Sequence, residues 1–212
     1  MLMRALWVSV VVGLLAACGS VRGPETKYYK LDLPSAPTPA GPSAPVSLRI
    51  EPFRTTDLLR QDRIVYRPSP VEVGYYEYHR WAEPPSDTVT KALADQLTKR
   101  RVFQTVEISN GVEKADYVLR GSIDRLQEVD YMGVVRVQVS ISAVLEDLAR
   151  QKIIWSSAAS SECAVAKGDV QAVVAAMSQA SQQSIARLMT DLVKSVQVNR
   201  LAPVSAGAAP PR

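Results

Sequence analysis

The chain has 212 residues, which is enough for one domain of ordinary size. Hydrophobic residues make up 47% of it and charged residues 22%, so wholesale disorder and a multi-span membrane protein are both excluded. The net charge of +4 is scattered too evenly for a nucleic-acid surface, and we predict that the protein binds no nucleic acid. A single histidine and two cysteines exclude most metal and nucleophile chemistry. We therefore expect a protein that acts by contact rather than by catalysis.

The first segment, residues 1–17, has the layout of a secretory signal peptide. It has a basic residue near its start, an apolar middle too short to span a bilayer, and small residues before the cleavage point. The sequence Leu15-Ala16-Ala17-Cys18 resembles a bacterial lipobox, which implies cleavage before Cys18 and acylation of that cysteine with palmitate-like chains. An ordinary signal peptide whose cleavage site happens to precede a cysteine is the alternative interpretation.

Acylation at Cys18 predicts a permanent membrane anchor. Two or three acyl chains hold a protein stably where a single chain binds only marginally, so the rest of the chain needs no membrane segment. Gly19 rather than Asp follows the cysteine, and by resemblance to enterobacterial sorting this implies transfer to the outer membrane. Residues 18–27 then form a tether, and Cys163, left as the one free thiol, is expected in the core.

Alternating polarity predicts four strands in the first part of the domain, which we place at 28–198. Tyr28–Leu33 is followed by a proline-rich loop at 34–45 with five prolines in twelve residues, and then by a half-buried strand at Val46–Phe53. Two shorter strands are predicted at Arg63–Arg67 and Val71–Tyr76. The prolines between them suit a turn or a sheet edge.

A helix is predicted after Trp81. Pro84 and Pro85 suit its first turn, Ser86 or Asp87 is expected to cap it, and its apolar stripe extends to about Arg100. A strand at Val102–Ile108 ends at an Asn-Gly turn signal.

Residues 116–162 predict a three-stranded antiparallel meander, because regular alternation at 135–145 is flanked by two polar turns. A long helix is predicted at 169–196, followed by a disordered tail at 199–212 that is rich in Ala and Pro. The pattern therefore predicts an α+β fold, a single domain with a mainly antiparallel sheet and two helices packed on one face.

Motifs for catalysis and cofactor binding are missing from the sequence. There is no glycine-rich phosphate loop, no paired Cys-x-x-Cys and no nucleophile elbow, and His79, Cys163 and the carboxylates have no metal-ligand spacing on one element. A carboxylate pair that meets only in the fold would make the protein a periplasmic hydrolase, which is the enzymatic alternative. We predict that the protein is not an enzyme and that it has no metal and no cofactor beyond the covalent lipid on Cys18.

The segment 75–85 is the most distinctive part of the chain. Four of the thirteen Phe, Trp and Tyr residues lie between positions 75 and 81, together with the single histidine. They either fill the core, with Trp81 packed under Val89, or form a contact surface for a lipid chain or protein partner. Candidate contact residues are Tyr76, Tyr78, His79, Arg80 and Trp81. Strand alternation places Tyr76, Tyr78 and Arg80 on one side and Tyr75, Glu77, His79 and Trp81 on the other.

Several motifs, taken together in order, resemble the ABC-type transport auxiliary lipoproteins, the outer-membrane lipoprotein components of MCE (mammalian cell entry) and paraquat-inducible-type lipid transport systems. Besides the lipobox, the resemblance is carried by Tyr28-Tyr29-x-Leu31, Leu59–Arg67, Arg80-Trp81-Ala82-Glu83-Pro84 and Ala115-Asp116-Tyr117-Val118-Leu119-Arg120-Gly121. It covers residues 28–196, and the proline-rich loop and the tail depart from it.

The resemblance implies a periplasmic domain anchored to the outer membrane. Its implied partners are an MCE-domain protein and an inner-membrane ABC permease complex, which traffic phospholipid and maintain membrane integrity. It supplies no catalytic residues. The predicted function is therefore an auxiliary adaptor subunit, in which the sheet and the aromatic segment dock the MCE partner. An alternative from a different functional class is a stand-alone carrier that binds phospholipid in an apolar cleft between helix and sheet. The edge near Pro68 and Pro70 offers a surface for a homo-oligomer.

Overall fold

The computed structural model describes residues 23–34, 44–111, 114–131, 133–166, 169–199 and 201. The predicted signal peptide, Cys18 and the first part of the tether lie outside the described residues. So do positions 35–43 of the proline-rich loop and positions 202–212 of the predicted tail.

Nine strands and two helices make up the described part of the chain, with a short 3-10 helix at Asp57–Leu59. The strands are β1 (Lys27–Tyr29), β2 (Ala44–Ile50), β3 (Arg54–Thr55), β4 (Arg63–Arg67), β5 (Gly74–Trp81), β6 (Phe103–Ile108), β7 (Tyr117–Tyr131), β8 (Val134–Asp147) and β9 (Lys152–Ala164). The helices are α1 (Pro85–Lys99) and α2 (Val170–Asn199).

Strand β7 is the centre of the single sheet. Along one edge it pairs in turn with β2, β3 and β4, all parallel to it. Beyond these, β6 pairs with β2, and β5 pairs with β4 and carries β1 on its far side. On its other edge β7 pairs with β8, which pairs with β9.

The α+β fold class is confirmed, but the sheet is mixed rather than mainly antiparallel. Antiparallel pairing joins strands that follow each other through a short turn, namely β4 with β5 and the meander of β7, β8 and β9. The chain reaches β7 from β2, β3 and β4 only after passing through other elements. Such crossover connections produce parallel neighbours.

One face of the sheet and both helices enclose the core. Alternate residues of β8, from Val137 to Leu145, point into it, and the apolar side of each helix covers them. The predicted packing of two helices on one face is therefore confirmed. Several strands of the sheet and both helices supply fully buried residues. Examples are Ile50, Ile64, Leu97, Leu119, Ile141, Met177 and Ile185. Neither helix has an apolar stretch of the length that crossing a membrane requires, within the part of the chain described.

The boundaries differ from the sequence-based prediction at two places on either side of β5. The predicted strand at Val71–Tyr76 is wrong, because residues 68–73 turn and the strand begins at Gly74. The Ser69 hydroxyl accepts a hydrogen bond from the backbone N–H of Glu72 in this turn. Helix α1 also lacks the predicted cap: Pro84 is its N-cap residue, and neither Ser86 nor Asp87 caps it through a side chain.

The end of the domain lies later than the composition predicts. Helix α2 continues to Asn199, and Leu201, assigned to the disordered tail from the sequence, is 8% exposed and belongs to the core. A leucine at this position extends the buried apolar side of α2, which outweighs the Ala- and Pro-rich composition of the following residues.

Gly121 on β7 allows a close approach between the sheet and an aromatic ring. A Cβ atom there would lie 2.3 Å from Cε2 of Phe53 and 2.7 Å from the backbone oxygen of Ser142. Phe53 is 4% exposed, and its backbone N–H donates a 2.9 Å hydrogen bond to the Thr90 hydroxyl of α1. The absence of a side chain at position 121 therefore lets the chain after β2 lie between sheet and helix.

We predict that Gly121→Ala lowers the free energy of unfolding by about 1–3 kcal/mol, the usual cost of overpacking a core. Gly23→Ala is the matched control, because a Cβ there meets no atom within 4 Å. Denaturant unfolding measures both variants. Equal stability of the two variants would contradict this account of the Phe53 contact.

Candidate functional site

The aromatic segment forms β5, and this strand bulges in its middle. Arg63 pairs with Arg80, but Val65 pairs with Tyr75, so β5 contains three more residues than β4 between these two pairs. A bulge of this kind breaks the two-residue alternation of side chains. The predicted division into two alternating sides is therefore wrong for Tyr76, which lies on the same side as His79, whereas Arg80 and Trp81 lie on opposite sides as predicted. The Tyr76 and His79 rings contact each other edge to face, with centroids 5.6 Å apart.

Tyr76 connects β5 to a buried carboxylate. Its hydroxyl donates a 2.6 Å hydrogen bond to Oε2 of Glu128 on β7, and its ring lies 5.2 Å from that of Tyr66. Glu128 is 5% exposed, and burial raises the pKa of its carboxyl above the usual value. Burial and the neighbouring Glu128 also raise the pKa of Tyr76, so its hydroxyl remains a donor at neutral pH.

His79 ties β5 to the N-terminal strand. Its Nδ1 lies 2.9 Å from the Tyr29 hydroxyl, and β1 runs parallel to β5 with Tyr29 opposite Trp81. The chain continues from β1 to Leu31, which is 1% exposed, and to Asp32. The backbone N–H of Asp32 donates to the hydroxyl of Ser178 on α2 at 3.0 Å. The end of the tether is thus fixed to both the sheet and a helix.

Trp81 and Arg80 take opposite roles at the end of β5. Trp81 is 6% exposed and shares the core cluster with Val89, as the core-filling interpretation predicts. Arg80 lies on the outer side, where its Nη1 donates to both carboxylate oxygens of Asp62 at 3.0 and 2.7 Å. The backbone N–H of Trp81 donates to the Asp62 carbonyl at 2.6 Å. Asp62 therefore joins two of the sequence motifs.

The predicted contact residues divide into two groups. Tyr76, His79 and Trp81 are engaged in internal packing and hydrogen bonds. Tyr78 and Arg80 are partly exposed, and Tyr28, which pairs with Arg80, is 65% exposed. We name Tyr28, Tyr78 and Arg80 the outer aromatic patch. It combines two phenol rings with a guanidinium group, the residue types most common at protein contact sites.

The motif at residues 115–121 holds β2 against β7. Asp116 accepts hydrogen bonds from the Ser47 backbone N–H at 2.8 Å and from the Ser47 hydroxyl at 2.7 Å. Arg120 bonds Glu51 through Nε at 3.0 Å and also pairs with Glu146 on β8. These are contacts between strands, so the motif is structural rather than catalytic in its geometry.

Sequence reasoning missed the acidic partners in this region. Glu128 lies 52 residues from its partner Tyr76, and Asp62 lies 18 residues from its partner Arg80. Strand alternation offers the one available signal for Glu128, since it falls on the buried side after the bulge at Asp124. No local motif identifies either pair.

Solved structures share this fold at low sequence identity. Protein XCC0632 from Xanthomonas campestris, assigned to the domain family DUF330, aligns with a TM-score of 0.72 at 21% identity, over 82% of this chain and 98% of that one. An uncharacterised protein aligns with a TM-score of 0.61 at 16% identity, over 80% and 99% of the two chains. The hypothetical protein CT253 from Chlamydia trachomatis aligns at 0.50 and 9% identity, over 72% and 99%. These likenesses establish the fold class.

The family follows from the sequence itself. The model of the ABC-type transport auxiliary lipoprotein component matches residues 29–188. The chain therefore belongs to this family of lipoproteins. No curated protein matches it in sequence.

We predict that Tyr76→Phe lowers the free energy of unfolding by about 1–3 kcal/mol, because it leaves the buried Glu128 carboxylate without its donor. Tyr66→Phe is the control, since the Tyr66 hydroxyl makes no hydrogen bond with another described residue. Thermal and denaturant unfolding measure the effect. Equal losses in the two variants would show that the ring contact matters and the hydrogen bond does not.

The raised pKa of Glu128 predicts how stability changes with pH. The folded protein holds the carboxyl proton more tightly than the unfolded chain does. In the unfolded chain the pKa of this carboxyl is near 4.5. The stabilisation from protonation is complete below that value and is lost as pH rises through the folded-state pKa. The unfolding free energy of wild type minus that of Glu128→Gln should therefore rise as pH falls from 7 to about 4.5. A constant difference over this range would contradict the prediction.

Proposed function

We propose that the protein is an adaptor subunit of an MCE-type ABC lipid transport system, anchored to the outer membrane on its periplasmic face. Membership of the transport auxiliary lipoprotein family is the observation that carries this proposal. The lipobox at Leu15-Ala16-Ala17-Cys18 supports the anchor, and Gly19 supports sorting to the outer membrane. The role needs no catalytic group, and we propose that the protein is not an enzyme.

The attachment of β1 supports a role close to the membrane. Eight residues lie between Cys18 and Lys27, so the tether reaches at most about 30 Å. Its far end pairs with β5 and continues into a segment that is hydrogen-bonded to α2. The anchor is therefore joined directly to the strand that presents the outer aromatic patch.

The outer aromatic patch is the surface we assign to the MCE partner. Rigid rings bury a large area with little loss of side-chain entropy, and an arginine adds directional hydrogen bonds. Tyr28 and Tyr78 supply the rings. Arg80 is held by Asp62 at the edge of the patch, which limits the entropy that binding would cost.

The packing of the core favours an adaptor over a carrier that encloses lipid. Side chains fill the space between sheet and helices, where Leu97, Met177 and Met189 are all fully buried. An acyl chain in that space would have to displace them. Leaving such residues without their packing costs about 2–5 kcal/mol each.

We predict that the tagged full-length lipoprotein, extracted in mild detergent, co-purifies with an MCE-domain protein or an ABC permease subunit identifiable by mass spectrometry. Combining Tyr78→Ala with Arg80→Ala should reduce recovery of the partner at least about tenfold, because contact hot spots contribute more than 1.4 kcal/mol.

Ile153→Ala is the matched control for the partner test. Ile153 is a 56% exposed apolar residue on β9, the strand at the opposite edge of the sheet. Unfolding temperatures establish that both variants are folded. Recovery of phospholipid in a fixed ratio to the protein, without any transport subunit, would contradict the adaptor proposal and support the lipid carrier instead.

A further inference from the structure

Arginines gather on the outer face of the sheet, where β3, β4, β5 and β7 meet. Arg63 on β4 is paired with Arg80 on β5. Both point away from the core, because the adjacent residues Ile64 and Trp81 are buried in it. The chain therefore holds two like charges directly across from each other, an arrangement that is unfavourable unless an anion lies nearby.

A bulge in β7 adds a third arginine to this group. Asp124 is the extra residue, after which Arg125 pairs with Ser140 on β8 and is exposed. Strand β4 runs parallel to β7 with Tyr66 opposite Glu128. Continuing this register back by three residues places Arg63 opposite Arg125. Arg80, Arg63 and Arg125 thus lie on three neighbouring strands of the same face.

Arg54 is the fourth arginine, on the short strand β3. It pairs with Ser122 on β7, which in turn is opposite Ser142 on β8. Arg54, these two serines and Ser156 on β9 line an open groove of about 370 Å³ on the outer face, together with Glu51 and Arg120, which form an ion pair with each other. The Ser122 and Ser142 hydroxyls lie 3.0 Å apart.

Three of the four arginines lack an acidic partner among the described residues. Arg80 pairs with Asp62, but the side chains of Arg54, Arg63 and Arg125 form no ion pair or hydrogen bond with another described residue. Asp124, the other carboxylate of the group, accepts a hydrogen bond from Ser122. The four arginines outnumber Asp62 and Asp124, and the Glu51–Arg120 ion pair in the same groove adds no net charge, so the group is positively charged.

The neighbouring arginine on the same face shows the contrast. Arg120, one residue before Gly121, is bound on both sides by Glu51 and Glu146. The outer face thus supplies carboxylates to an arginine that has a structural role. It supplies none to Arg54, Arg63 and Arg125, whose guanidinium donors stay available for a ligand.

We propose that Arg54, Arg63 and Arg125 form a site for the phosphate group of an anionic phospholipid headgroup. The choice of a lipid rests on the proposed function, since inorganic phosphate offers the same chemistry. Arginine binds phosphate oxygens through paired N–H donors, and these three arginines lie on adjacent strands of one face. The site holds the headgroup on the open face and leaves the core closed.

Titration calorimetry on the full-length lipoprotein in nonionic detergent tests the site. The probes are inorganic phosphate and dihexanoylphosphatidylglycerol. The test variant combines Arg54→Gln, Arg63→Gln and Arg125→Gln. The control combines Lys114→Gln, Lys152→Gln and Lys194→Gln, which removes the same charge from three exposed lysines elsewhere. Unfolding temperatures verify that both variants are folded.

We expect the lipid to bind wild type more tightly than phosphate does, and its affinity to fall at least about tenfold in the arginine variant but not in the lysine variant. Arginine-dependent binding of phosphate that equals or exceeds that of the lipid would support the phosphate site and overturn its assignment to a headgroup. Binding that is unaffected by the arginine substitutions, or lost equally in both variants, would overturn the site. The titration needs no partner protein, so its failure would leave the adaptor function standing.

Discussion

Pairing of β7 along both of its edges is the constraint on which the other features depend. This strand has fifteen residues. Strands β2, β3 and β4 pair with successive parts of one edge, and β8 pairs along the other edge. Gly121 sets the closeness of Phe53 to the sheet, and Glu128 receives the hydrogen bond that fixes Tyr76. The bulge at Asp124 turns Arg125 outward between these two points. One strand thus positions a core contact, a buried polar contact and a charged surface group.

The two faces of the sheet have different roles: the inner face forms the core, and the outer face carries the proposed interaction surfaces. The inner face is packed against both helices, and the buried polar residues there include Thr90, several serines and Glu128. The outer face carries ion pairs, serine contacts and unpaired arginines. Strand β5 links the faces, because Tyr76 and Trp81 point inward while Arg80 lies outside. The proposed anchor at Cys18 precedes β1, which is paired with β5, so the length of the tether limits the distance between the outer face and the lipid surface.

Regular alternation made much of this fold predictable. The inward residues of β8, the meander and both helices follow from periods of two and about 3.6, which depend only on neighbouring residues. Alternation places Tyr76 and His79 on opposite sides of the strand, because a regular period of two does not reveal a bulge. Parallel pairing of β2 and β4 with β7 escaped prediction because it joins strands far apart in sequence. Glu128 and Asp62 were not predicted as partners for the same reason: the residues that they bind lie far away in sequence and are brought close only by the tertiary fold.

Site-specific crosslinking in living cells tests the adaptor account most directly. A photo-crosslinking phenylalanine analogue replaces Tyr78 in one strain and Ile153 in another, and adducts are identified by mass spectrometry. The account predicts a covalent adduct between position 78 and an MCE-domain protein, with none from position 153. A folded, membrane-bound protein that gives no protein adduct from position 78, or the same adduct from both positions, would contradict it.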